Sequence, residues 1–223
     1  ESRYHALDGV DLTLRKGEFV SLIGHSGCGK STLLNLLAGL QGPTEGVVKV
    51  GGKQVTGPGL DRAVVFQSHS LLPWLSVEAN VQVAVDSKYP EMTKAQRKQE
   101  ARRLVEMVHL GAHAKKKPSE LSGGMRQRAG IARAFAAKPE VLLMDEPFGA
   151  LDALTRGSMQ DELTELWQAE QTTVMMITHD VDEAIFLSDR IILMSNGPRA
   201  HIAKQWHVDI PRRCRRRSGE RSG

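Results

Sequence analysis

The amino-acid sequence predicts an α/β fold: a mostly parallel sheet wound with helices, carrying a glycine-rich anion loop and interrupted by a helical stretch. Three observations predict it. Apolar runs of strand length, Phe19-Val20-Ser21-Leu22-Ile23, "VLLM" from 141, "TVMMI" from 173 and "RIILM" from 190, read as strands buried on both faces. After Pro139 these runs alternate with helical stretches at about 153–169 and 181–187, the rhythm of βα winding. The stretch "GHSGCGKST", residues 24 to 32, follows the first run and opens a helix, the context in which G-x-x-x-x-G-K-[ST] cradles phosphates.

Taken in chain order, Leu7, Val10, Leu12 and Leu14 predict a strand within residues 6–15, and Lys16-Gly17 turns the chain into the strand before the glycine loop. A helix follows through Leu40. "GPTEGVVKVGGKQVTGPG" has short β runs divided by Gly and Pro, which predicts a hairpin beside the sheet, and "AVVF" at 63–66 returns to the interior as a buried strand. From about 68 to 130 the period becomes helical: Ala101, Leu104, Val105 and Val108 share one face while the surrounding Lys, Arg and Glu stay largely off it. Residues 198–210 read as a short extension. The expected plan is one domain over 1–210, with a core of about 1–67 and 131–210 and a helical subdomain of about 68–130. A basic tail, 211–223, is expected to be disordered.

A chain of 223 residues can bury a sizeable core without covalent staples. Its two cysteines, Cys28 and Cys214, make no disulfide framework and fit a reducing compartment. No wholly apolar run approaches the roughly 18 residues of a spanning helix, and the opening "ESRYHALDG" lacks a signal-peptide layout, so membrane association is expected through a partner. The net charge of +4 is misleading: the tail from 211 holds six arginines and one glutamate, which leaves the body at −1. A specific nucleic-acid partner is therefore not expected.

The loop chemistry follows from charge. Gly24, Gly27 and Gly29 let backbone N–H groups curl inward around phosphates, and His25, Ser26, Cys28 and Thr32 complete the candidate nucleotide-binding stretch. Lys30 brings a point charge to the β- and γ-phosphates, the new helix aims its positive end at the same anions, and Ser31 offers a hydroxyl to Mg²⁺. "VLLMDEP" ends a strand in two carboxylates: Asp145 suits Mg²⁺, and Glu146 suits the orientation of an attacking water. His179, after "TVMMI", can donate to a γ-phosphate and hold the glutamate. Gln67, after "AVVF", can reach the metal or the attacking water. "LSGGMRQR" from 121 makes a second helix N-terminus with Ser122, Gly123 and Gly124, a second anion site that one nucleotide does not need. It is assigned to a nucleotide on another copy.

These motifs, in this order, resemble the ATP-binding subunits of ABC transporters over nearly all of residues 6–210. The resemblance implies a phosphate-loop NTPase (RecA-like) core with a side β-subdomain and an inserted helical subdomain. It also implies ATP and Mg²⁺ as cofactors and a head-to-tail pair of domains sandwiching two nucleotides, with Asp152 of "FGALD" bridging the sites. "VVFQSHSLLPWLSVEANV", "DEPFGALDALTRG" and "THDVDEAIFLSDRIILMSNGP" resemble the importer branch for nitrate, bicarbonate, cyanate, sulfonates and taurine, with "SNGPRAHI" most similar to the nitrate group. The implied function is ATP-driven import of a small, nitrate-like anion. The implied place is the cytoplasmic face of the bacterial inner membrane, with a second ATP-binding subunit, permease subunits docking near Leu71, Leu72 and Trp74, and indirectly a substrate-binding protein. The family's adenine-stacking aromatic belongs to an earlier strand, and Tyr4 does not match its spacing. A DNA-acting relative is the alternative, but it needs a long coiled coil where only 53 residues separate Gln67 from Leu121. A ribosome-acting relative needs two cassettes in one chain, and an exporter half needs a fused membrane domain.

Overall fold

The computed structural model describes residues 5–67 and 70–211. The basic stretch 212–223 and Tyr4 lie outside the described residues. In chain order the elements are β1 (Phe19–Ile23), α1 (Lys30–Ala38), β2 (Lys49–Val50), β3 (Lys53–Gln54), β4 (Arg62–Val65), α2 (Val77–Lys88), α3 (Lys94–Met107) and α4 (Gly123–Ala136). They continue with β5 (Val141–Asp145), α5 (Ala153–Glu170), β6 (Thr173–Ile177), α6 (Val181–Leu187), β7 (Arg190–Met194) and β8 (Ile202–His207). The chain divides into two compact units, one of residues 1–59, 143–146 and 173–223, the other of 60–142 and 147–172.

The first unit is built on parallel pairing. β1 lies between β6 and β7, with Phe19 opposite Val174 and Val20 opposite Arg190, and the end of β5 lies beside β6. Phe19, Val20, Leu22, Val174, Met175 and Met176 are fully buried, as strands covered on both faces require. A hydroxyl pair, Ser188 to Ser21, is satisfied inside this core, and Arg190 forks onto Glu18 with two contacts of 2.9 Å. Because β1 and β6 run the same way, their C-terminal ends bring Gly24 and the residues after Ile177 to one edge, and the bond from Glu146 N–H to the Ile177 carbonyl brings the end of β5 there as well.

The second unit is helical, with β4 alongside the start of β5 through Asp61, whose carbonyl accepts from Glu140 and Val141. Its helices start where side chains satisfy the first free N–H groups: Ser76 on Ala79, Thr93 and Gln96 in a reciprocal box, Ser122 on Met125 and Asp152 on Thr155. Helix α2 packs on α3 and α4, and Ala101, Leu104, Val105 and Val108 form the buried face expected of α3. This unit reaches beyond the helical stretch 68–130 outlined from the sequence.

Two sequence expectations are corrected. No strand forms over 6–15: Leu7 makes one isolated bridge to Ala200, and residues 10–15 are irregular although their exposure alternates with period two. Alternation reports an extended chain, whereas a strand also needs a ladder partner. Here the segment is tied instead by Arg190, which donates to the Thr13 carbonyl at 2.6 Å. Residues 202–207 of the supposed extension form β8, antiparallel to β7. Its mostly exposed, polar sequence "IAKQWH" carries little apolar signal because it is held on one side by backbone pairing.

Candidate functional site

The loop after β1 turns on glycine. Gly29 caps α1 in the left-handed region, φ 87°, and a Cβ there would stand 2.6 Å from Leu7 Cδ2. The left-handed turn favours glycine, and any side chain would also have to displace the Leu7 methyl. Lys30 opens the helix and is 8% exposed. Its Nζ donates to the carbonyls of Gly24 at 2.7 Å and His25 at 2.8 Å and lies 3.8 Å from Cys28 Sγ, so the ammonium sits on the inner side of the loop. Together Ser26, Gly27, Gly29, Lys30, Ser31 and Thr32 line a pocket of about 320 Å³ with Ala6, Glu146 and Ile177.

At its edge Ser31 donates through Oγ to Asp145 Oδ2 at 3.2 Å. Burial pushes the Asp145 carboxyl above its ordinary value, opposed by the Ser31 hydrogen bond and by the charge of Lys30, while Glu146 adds to the rise. Glu146 follows in a left-handed conformation, φ 46°, a costly backbone for a residue with a side chain. Its N–H donates to the Ile177 carbonyl at 3.0 Å. Its Oε2 lies 3.5 Å from His179 Nδ1. Lys30, Ser31, Asp145, Glu146 and His179 are therefore brought together within the first unit. The pocket is also lined by Ala6 and Ile177, which no motif marks; the segment 5–8 is held there by backbone bonds with Arg199 and Ala200.

The other expected site residues belong to the second unit. Gln67 is exposed just past β4. Ser122 caps α4, its Oγ accepting from Met125 N at 3.3 Å, with Gly123 and Gly124 as the first helical residues. Gly124 is required by close packing, since a Cβ would meet Thr155 Cγ2 at 2.6 Å. Asp152 caps α5 with a 3.0 Å bond from Thr155 N, and that bond holds its carboxyl below the ordinary value.

The glycine loop, the acidic strand end and the capped glycine pair all fall within residues 7–149, which the profile of the ABC transporter family matches. The chain belongs to the ABC transporter family. This ABC transporter chain is 54% identical over 211 residues to "Bicarbonate transport ATP-binding protein CmpC" of Synechococcus elongatus, covering 95% of itself and 32% of that relative. It is 53% identical over 209 residues to "Bicarbonate transport ATP-binding protein CmpD" of Synechocystis sp., covering 94% and 74%. To "Nitrate transport protein NasD" of Klebsiella oxytoca it is 54% identical over 208 residues, covering 93% and 79%. The chain thus spans about a third of the length of the CmpC relatives. Among solved structures it superposes on the ATP-binding cassette MJ0796 in a dimeric post-hydrolysis state bound to ADP and Pi. The TM-score is 0.79 with 34% identity, over 91% of this chain and 90% of that one.

Proposed function

We propose that this chain hydrolyses ATP to power import of a small anion, of the nitrate and bicarbonate class, working from the cytoplasmic face of a bacterial inner membrane. The observation that carries the reading is the meeting, at one edge of the first unit's sheet, of the glycine loop with the Ser31–Asp145 and Glu146–His179 pairs. The relatives' names, which speak of bicarbonate and nitrate transport, supply the solute class.

The residues present suit Mg²⁺. It takes one or two protein oxygens and leaves its other positions to phosphate and water; the Ser31 hydroxyl and the Asp145 carboxylate, 3.2 Å apart, are such a pair. Among the described residues no cluster of three or more His, Cys, Asp or Glu offers a rival cage. Bound Mg²⁺ would neutralise charge on the phosphates. The loop N–H groups and Lys30 bind and orient the nucleotide. Glu146 orients the attacking water, His179 steadies Glu146, and Gln67 reaches the metal or that water. Ser122, Gly123 and Gly124 close over a nucleotide bound to a second copy, with Asp152 bridging the two sites. Membrane subunits dock around Leu71, Leu72 and Trp74; the leucines are half-buried and Trp74 is 67% exposed. A substrate-binding protein acts through those membrane subunits.

Phosphate release from Mg-ATP, measured beside ATP-driven uptake of nitrate and of bicarbonate into vesicles holding the permease, tests the reading. Glu146→Gln is expected to keep ATP binding and lose turnover at least about a hundredfold, because the shape stays while the carboxylate is lost. Undiminished turnover overturns the role of Glu146, and coupled uptake of neither anion overturns the solute class.

A further inference from the structure

The ring of His179 is 67% exposed, so packing does not aim it, yet its Nδ1 stands 3.5 Å from Glu146 Oε2. What aims it is the backbone on either side. Thr178 is 2% exposed and fixed in the core, where its N–H donates to the Leu22 carbonyl at 3.2 Å, one residue past the end of β6. Its Oγ1 accepts the N–H of Asp180 at 3.1 Å, closing a tight turn around His179. Asp180 in turn accepts from Glu183 N at 3.1 Å and starts α6. The residue before Thr178, Ile177, takes the Glu146 N–H at 3.0 Å and so holds the left-handed backbone of the same glutamate. Ile177 thus fixes Glu146 by its main chain, and Thr178 and Asp180 fix His179 by the turn.

The geometry points to Thr178 as a positioning residue: its hydroxyl sets the turn that keeps His179 against Glu146. This rests on the hydrolytic reading above, in which His179 steadies Glu146. Thr178 is buried, and its hydroxyl acts through the turn that carries its neighbour. A small displacement of a positioned group is enough to slow a step that depends on orientation.

The test compares Thr178→Val, which keeps the shape and removes the hydroxyl, with Thr178→Ser, which keeps the hydroxyl. Thr178→Val is expected to lower kcat about tenfold with KM for ATP unchanged, and Thr178→Ser to stay within about twofold of the parent. In a His179→Ala background, Thr178→Val is expected to cost less than about twofold, since residues acting through one group are not additive. A purely structural role would cost the same factor in both backgrounds; that result overturns the proposal, as does a rise in KM or a failure of Ser to rescue. A second measurement does not need turnover. The His179 ring resonances should respond to Glu146→Gln in the parent and in Thr178→Ser, but not in Thr178→Val. An equal response in Thr178→Val overturns the proposal. Failure of the hydrolytic reading looks different: His179→Ala alone would keep the parental kcat, while the ring comparison still judges Thr178.

Discussion

Asp145 shows what the site asks of a single residue. Its carboxyl is raised above the ordinary 3.8 chiefly by burial. The folded state therefore holds its proton more tightly than the unfolded chain, and the ionised side chain opposes folding. That penalty is fully present above the raised folded value and disappears as pH falls below 3.8. Asp145→Asn keeps an oxygen for the Ser31 hydroxyl and has no charge to bury. The variant is expected to melt at a higher temperature than the parent at pH 7, with the gain shrinking as pH is lowered toward 3.8, while Mg²⁺-dependent hydrolysis is lost. Melting curves across pH, read beside phosphate release, check both halves; a variant less stable at pH 7 would show that the carboxylate contributes to the fold. Glu146 carries a cost of its own in its backbone, φ 46°. Both costs sit on the residues assigned to chemistry, as function at the expense of stability requires.

At the scale of elements, the two glycines that open α4 look alike in sequence and differ in surroundings. A Cβ on Gly123 meets nothing within 4 Å, whereas one on Gly124 meets Thr155 Cγ2 at 2.6 Å. Gly124→Ala forces either the Thr155 side chain or the start of α4 to shift and is expected to cost about 1–3 kcal/mol. Gly123→Ala is expected to be neutral or to gain about 0.4–1 kcal/mol through the unfolded chain. Urea midpoints of the two variants separate these outcomes, and equal midpoints would contradict the packing at Gly124. The sequence could mark both residues as a helix start because Ser122 and the following run carry that signal locally. It could not say which glycine is needed for contact, because Thr155 lies 31 positions away.

For the whole molecule, each chain supplies Lys30 in one unit and the Ser122 cap in the other, and the proposed sandwich pairs them across two copies. Glu146→Gln with ATP is expected to shift the chain from monomer toward dimer in light scattering, since an uncut nucleotide remains as a bridge. Mixing Lys30→Ala with Ser122→Arg leaves one complete site, formed by the intact loop of the second variant and the intact cap of the first. Nucleotide-dependent cross-linking at that site should exceed that of Ser122→Arg alone; equal trapping would rule out a shared site.

The sequence by itself determined the sheet strands Phe19–Ile23, Thr173–Ile177 and Arg190–Met194, the helix starts after Gly29 and Ser122 and near 153 and 181, and the glycine loop between strand and helix. Those signals are local: apolar runs, capping side chains and glycine spacing act within a few residues. Only the tertiary structure decided that residues 10–15 stay outside any ladder, that 202–207 pair with β7, and that Asp145 resists ionisation. Only it brought Ala6, Ile177 and Thr178 to the site, because their parts are played by backbone carbonyls, a buried hydroxyl and an approach between distant segments. Such contacts leave no period in the chain, since the partner of each is chosen by the packing of the sheet and not by its neighbours in sequence.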